Sequence, residues 1–172
     1  MIVYQKAERI YDITSFFVEH YLPHVGDRTV DQMKQAARSG KQNIAEGNES
    51  GATSMKSKIH LINVAKASFA ELLEDYEDYL RVKGLNLWDQ NTDQCIKARK
   101  WCKEHLQQED YDRVCNTRSD ETVANIAIIM INQTIFMLKH LLDSLEKEFL
   151  KNGGISEQMT KARLSWIKDH RK

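Results

Sequence analysis

Between Val30 and Gly47 the residues that would share one face of a helix recur in steps of three and four: Val30, Met33, Ala37, Gly40, Ile44 and Gly47. Most of them are small. Alanine and glycine on a helix face let a second helix approach closely, at some cost in intrinsic helicity at Gly40. The stripe therefore demands a packed helical partner. Chain punctuation agrees, because one proline and seven glycines in 172 residues are too few for the turns of a β-rich fold. A chain of this length can bury a sizeable core as one domain, with or without an appendage.

Three further long helices are predicted. Val3, Ala7, Ile10, Thr14, Phe17 and Tyr21 line one face of the first, which should end before Leu22-Pro23, with Gly26-Asp27 continuing the turn. The second begins near Thr29 or Asp31. After a break at Ser50-Gly51, Thr53 or Ser54 caps a third helix that carries Met55, Ile59, Ile62, Phe69, Leu73, Tyr76 and Leu80 inward and stops at Lys83-Gly84. The fourth runs from about Ser119 to Asn152 and is closed by Gly153-Gly154, a length of roughly 50 Å. Between them, at about 86–118, lies a polar insertion with one short helix, roughly Thr92 to Gln107, which Trp88 and Trp101 could pin to the rest. A last helix, Ile155 to His170, has Met159, Leu164, Trp166 and Ile167 as apolar anchors.

Formal charge is zero, with 25 basic and 25 acidic residues, so bulk electrostatics do not drive nucleic-acid binding. Any such binding needs a local patch. Lys161, Arg163, Lys168, Arg171 and Lys172 outnumber Glu157 and Asp169 in the last eighteen positions, 155–172. No basic stretch followed by an apolar core opens the chain, so no secretory signal is expected. The apolar stretch Val123 to Leu138, interrupted by Asn125, Asn132, Gln133 and Thr134, reads as too short and too polar for a membrane span. Three cysteines without framework spacing suit a reducing cytoplasm.

The fourth helix is apolar on every face over 126–131. An isolated bundle needs one apolar stripe per helix. Either the insertion or the suffix covers the outer face, or another subunit does so through Ile128, Ile131 and Ile135. Asn125 and Asn132, one heptad apart, then either fix register in that seam or sit on its wet edge.

Gln32-Met33-Lys34-Gln35-Ala36-Ala37, Ser39 and Asn43-Ile44-Ala45-Glu46-Gly47 together resemble the signature of the four-helix-bundle proteins encoded in intervening sequences of bacterial large-subunit ribosomal RNA genes. Val64 to Leu72, ending in Lys83-Gly84-Leu85, is similar to that family's third helix, and Tyr4-Gln5-Lys6-Ala7 to its opening. The likeness covers residues 1–85 and, by pattern, the fourth helix; a suffix-bearing subgroup fits best. It implies an up-down-up-down bundle that assembles as a cyclic homopentamer. It also implies a relative, the basic accessory protein of diversity-generating retroelements, which binds nucleic acid and a reverse transcriptase. Here Gly40-Lys41 stands for the family's apolar-proline pair and Gln35 for a basic residue, and net charge is neutral. The resemblance thus speaks to fold more directly than to nucleic acid.

Ser39, Asn43 and Glu46 share a helix face, within reach of Glu71 from the third helix. They form either a polar site or a hydrogen-bond network that fixes helix register, and the second reading is adopted. No histidine accompanies the glutamates as in di-iron bundles, so neither metal nor cofactor is expected. Lys34, Arg38 and Lys41 make a basic stripe that can touch phosphates, diluted by Asp31, Glu46 and Glu49. Cys95, Cys102 and His105 share a face, but only Cys115 or a distant histidine could complete four ligands, and the cysteines read as small buried hydrophobes. Arg99 and His105 are spaced like the Arg-His motif of a helical ribonuclease family, with His105 moving a proton and Arg99 holding phosphate.

The expectation is an all-α protein. Residues 1–154 form an antiparallel up-down-up-down four-helix bundle with a helical insertion, and 155–172 a basic helical suffix. Its function is that of a non-enzymatic, cytoplasmic, self-assembling scaffold with no catalytic residues and no membrane association. It engages RNA, DNA or a nucleic-acid enzyme through Lys34, Arg38, Lys41, Lys161, Arg163 and Lys168. The alternatives are a helical ribonuclease or toxin built on Arg99 and His105, and a pure protein-binding module.

Overall fold

The computed structural model describes residues 1–22, 28–49 and 54–170, which form α-helices with no strand among them. In chain order these are α1 (Ile2–Tyr21), α2 (Arg28–Glu49), α3 (Met55–Lys83), α4 (Asp93–Glu104), α5 (Gln108–Thr117), α6 (Asp120–Asn152) and α7 (Ile155–His170). The protein is all-α. The expected turn at Gly26-Asp27, the break at Ser50-Gly51, a cap by Thr53, and Arg171 and Lys172 lie outside the described residues.

Local chemistry sets the helix ends. Leu22, ahead of Pro23, is extended (φ −105°, ψ 152°) and closes α1. Ser54, Thr92 and Ser119 each accept a hydrogen bond from the backbone N–H three residues on, which starts α3, α4 and α6. Gly84 ends α3 in the left-handed region at φ 66°, and Leu85 N–H returns to Leu80 C=O at 2.9 Å.

Antiparallel neighbours follow from the cross-helix contacts. Lys34 Nζ meets Glu19 at 2.8 Å and Lys41 Nζ lies 4.1 Å from the centre of the Tyr11 ring, which aligns α1 against α2. Ser39 meets Ser68, and Gly47 lies beside Ile62, which aligns α2 against α3. Lys6 meets Gln133, while Tyr21 reaches Arg118 just ahead of α6, so α6 runs against α1. Tyr79 donates to Asp120 at 2.7 Å between α3 and α6. Helices α1, α2, α3 and α6 thus touch in a closed ring of pairs around Ile10, Phe17, Met33, Ile44, Phe69, Tyr76 and Met130, all fully buried. Inside this core Tyr76 Oη donates to Thr14 Oγ1 at 3.0 Å. Tyr76→Phe removes that bond at little change in volume, and should cost about 1 kcal/mol, read as a lower urea midpoint with an unchanged slope.

The insertion differs from expectation. In place of one helix from Thr92 to Gln107, the chain folds into α4 and α5, joined where His105 and Gln107 adopt extended backbone. The second helix has its own signals: Glu109 and Asp110 in its first turn, and Tyr111, Val114 and Cys115 on one face. Helix α4 lies on α6, and α5 on α1. The run 126–131 of α6 is buried throughout, so the insertion supplies cover that the sequence left open.

By length and composition α6 reaches the range of a membrane span, with mean hydropathy 1.4 in its most apolar window, more than the stretch Val123 to Leu138 suggests. That window is 61% buried within the protein, as suits a core helix. The last helix corrects another expectation. Met159, Leu164 and Trp166 of α7 are 68%, 61% and 62% exposed, and α7 has no extensive packing on another helix. They do not anchor the suffix to its own chain.

Candidate functional site

A cavity of about 1040 Å³ lies where α4 and the segment 87–91 meet α6, with Lys6 of α1 and Glu77 of α3 also lining it. Three polar side chains hold this arrangement together. Asn125 of α6 accepts from Trp88 N–H and donates to Asn86 C=O, each at 2.8 Å, which pins the segment ahead of α4. Gln133 donates to Arg99 C=O at 3.0 Å and accepts from Lys6 Nζ at 2.7 Å. Lys6, only 3% exposed, also donates to Cys102 C=O at 2.7 Å and approaches Met130 Sδ at 3.8 Å.

The Lys6 contacts have a common cause. Cys102 sits in the last turn of α4, where carbonyls lack an intrahelical donor and the helix dipole is negative. An ammonium with three acceptors completes that end, so a charge can be tolerated out of water. Burial pulls Lys6 below its ordinary value of 10.5, against the opposing pull of the Cys102 thiol. Burial also pushes the Cys102 thiol up to about 12, which keeps it protonated and unreactive. Tyr111 donates to His105 C=O at 2.8 Å and lies against Met130 Sδ at 3.1 Å, with burial raising its phenol.

The expected site residues fall in separate places. Ser39 and Asn43 do form a cluster: Ser39 Oγ lies 2.9 Å from Ser68 Oγ, and Asn43 Nδ2 donates to Ser39 C=O at 2.8 Å. Glu46 and Glu71 stand exposed outside it. Ser68 is the member the sequence reading missed; its place between Ala65, Phe69 and Leu72 on the buried stripe of α3 was the available signal. Of the basic stripe, Lys34 is paired with Glu19 and Lys41 covers Tyr11, which leaves Arg38 as its exposed cation. Lys161, Arg163 and Lys168 are exposed on α7.

Arg99 and His105 point to different surroundings. Arg99 lines the cavity, whereas His105 caps α4, stacks on Trp101 at 4.9 Å and shares a 3.0 Å hydrogen bond with Trp101 C=O. Cys95, Cys102 and Cys115 are buried free thiols. Ile131 is fully buried within one chain, Ile128 is 6% exposed and Ile135 is half-buried, so most of that face is already occupied. Asn125 is buried and anchors the insertion, while Asn132 is exposed and bonds its own helix at Ile128 C=O.

A second groove, about 590 Å³, lies between α2 and α3 and is edged by Asp31, Glu71, Glu74 and Asp75, with Arg28 as its cation. Burial, then the neighbouring Asp78, Glu71 and Glu74, holds Asp75 above its usual 3.8. The native carboxylate therefore binds a proton more readily than the unfolded one. Its penalty is absent below 3.8 and is complete once pH exceeds the native value. Asp75→Asn should therefore raise the melting temperature at pH 7, and the gain should disappear at pH 3.

Fold and site define an all-helical protein in which a buried lysine and two α6 amides lock a helical flap over a cavity. Compared with models of protein families, with curated proteins and with solved structures, the chain has no match.

Proposed function

We propose that this protein is a non-enzymatic scaffold: an up-down-up-down bundle of α1, α2, α3 and α6 that self-assembles and presents a basic helix to nucleic acid. The observation that carries this reading is α7. Its large apolar side chains Met159, Leu164 and Trp166 remain in water beside Lys161, Arg163 and Lys168, which have no ion pair among the described residues. Met159, Ala162 and Trp166 follow the three-four spacing of a helix-packing seam, and all three are exposed. A second copy of the same helix is the natural occupant. Zero net charge leaves no bulk repulsion between copies, and α7 itself carries Glu157 and Asp169 as well as its cations.

The family resemblance adds a cyclic homopentamer and a nucleic-acid or reverse-transcriptase partner as expectations. In this reading the seam lies on α7 and the exposed Leu150 rather than on Ile128 and Ile131, which are buried within the single chain. Internal pairing of Lys34 and Lys41 likewise moves the phosphate contacts toward α7 and Arg38.

Charge reversal tests the nucleic-acid half of the proposal. The triple variant Lys161→Glu, Arg163→Glu, Lys168→Glu should lose at least about tenfold in affinity for a 20-nucleotide RNA. The slope of log affinity against log salt should shrink by about 2, since each lost single-strand phosphate contact removes about 0.7. Unchanged affinity and slope would remove α7 as the contact.

A further inference from the structure

Two arginines of the described chain are half-buried, Arg9 and Arg99, and they are treated differently. Arg9 pairs with Asp12 at 3.1 Å. Among the described residues Arg99 has no carboxylate within 4.0 Å, and its one side-chain hydrogen bond is a long one, 3.5 Å, to Gln90 C=O. Withdrawing a guanidinium from water without an anionic partner is costly. Its planar fork matches a carboxylate, which it binds through two parallel hydrogen bonds. Lys103, one helical turn further along α4, lines the same cavity and also has no ion pair among the described residues.

The rest of the wall is mixed: the carboxylates Glu77 and Asp89 and several amides line it, and its apolar part comes mainly from α6. Ile128, Ile129, Phe136 and Met137 of α6 line the cavity together with Trp88, and its volume of about 1040 Å³ is at the upper end for small-molecule sites. Phe136 is 62% exposed here, a large apolar ring left at the cavity rim. The cavity thus joins an apolar α6 face to a cationic pair on α4, Arg99 and Lys103, with Glu77 and Asp89 elsewhere in its lining. Lys6 does not join that pair, because Cys102, Gln133 and Met130 already take its donors.

We propose that this cavity binds a monocarboxylate with an apolar body, aliphatic or aromatic. Its carboxylate sits between Arg99 and Lys103, and its body lies against Ile128, Ile129, Phe136 and Met137. Binding is non-covalent, and it ties the flap formed by 87–91 and α4 more firmly to α6. The proposal stands apart from the assembly and nucleic-acid reading, since none of its residues lies on α7.

The test is calorimetric titration of the full chain with decanoate and with 2-naphthoate, using decanol as the uncharged control. Saturable binding at one equivalent per chain is expected for at least one of the acids, with decanol at least tenfold weaker. Arg99→Gln should weaken the acid at least tenfold while its circular dichroism spectrum and melting temperature stay near those of the parent. Met137→Trp, which fills the cavity, should reduce binding of the acid and of decanol alike, whereas Trp166→Glu on α7 should change neither. Absence of saturable binding by both acids would overturn the proposal. So would equal affinity for decanoate and decanol, an Arg99→Gln variant that binds like the parent, or loss of binding in Trp166→Glu, which would place the ligand on α7.

Discussion

Gly40→Ala should destabilise the protein by about 2 kcal/mol, although alanine is the better helix former by about 1 kcal/mol. A Cβ at this position would fall 2.6 Å from Phe69 Cζ and 2.8 Å from two further ring carbons. Phe69 is fully buried, so the ring has no solvent to move into. Overpacking of this kind typically costs 1–3 kcal/mol, and here it must also exceed the helix-propensity gain. For a chain of this size the melting temperature should fall by about 4–8 °C. The clash is with one side chain, so a smaller one should relieve it: Phe69→Leu should cost less in the Gly40→Ala background than in the parent. Additive effects would mean that close approach of α2 and α3 is not what Gly40 provides.

The second large effect concerns the buried lysine. Gln133→Leu should cost about 2–3 kcal/mol, because it removes one acceptor from a buried ammonium and the donor to Arg99 C=O. Lys6→Met is the informative partner. It removes the charge and leaves Cys102 C=O without its Lys6 donor, but it also relieves the desolvation that lowers Lys6. The double variant should be more stable than the sum of the two single losses predicts. The linkage sign is fixed as well. Native Lys6 gives up its proton below the unfolded value of 10.5, so its contribution improves as pH rises from the native value toward 10.5. Stability of the parent relative to Lys6→Met should rise across that window, read by chemical denaturation at successive pH values. A flat difference would show that Lys6 keeps an ordinary proton affinity.

The helices of the core were legible because each carries a three-four apolar stripe long enough to dominate: Val3 to Phe17, Met33 to Gly47, Ile62 to Leu80 and Val123 to Leu145 are all represented in the buried core. Ser54 as one of two cap candidates, the start of the fourth helix near Ser119 and the stop at Gly84 were legible for local reasons too. Helix α5 was hidden because no glycine or proline separates it from α4; the break at His105 to Gln107 is a backbone change without a breaker residue. The site was less legible than the fold. Lys6 shares its face with Val3 and Ile10, and a cation on an apolar stripe is a visible anomaly. Its partners, however, lie on α4 and α6, more than ninety positions away, and nothing local announces them. The apolar run 126–131 has the same ambiguity in sequence whether an insertion or a subunit covers it. Only the placement of α4 on α6 separates the two.

Light scattering behind size-exclusion chromatography, with absorbance recorded at nucleic-acid and protein wavelengths, tests the proposed role of α7 as an assembly helix. The parent chain, 20.0 kDa per subunit, should elute as a closed oligomer, at five subunits if the family resemblance extends to assembly. The double variant Leu164→Glu, Trp166→Glu should elute as a monomer with an unchanged melting profile, since both side chains are exposed in the single chain. A parent that is monomeric across a hundredfold range of concentration would contradict the account, as would an oligomer unaffected by charges placed on α7.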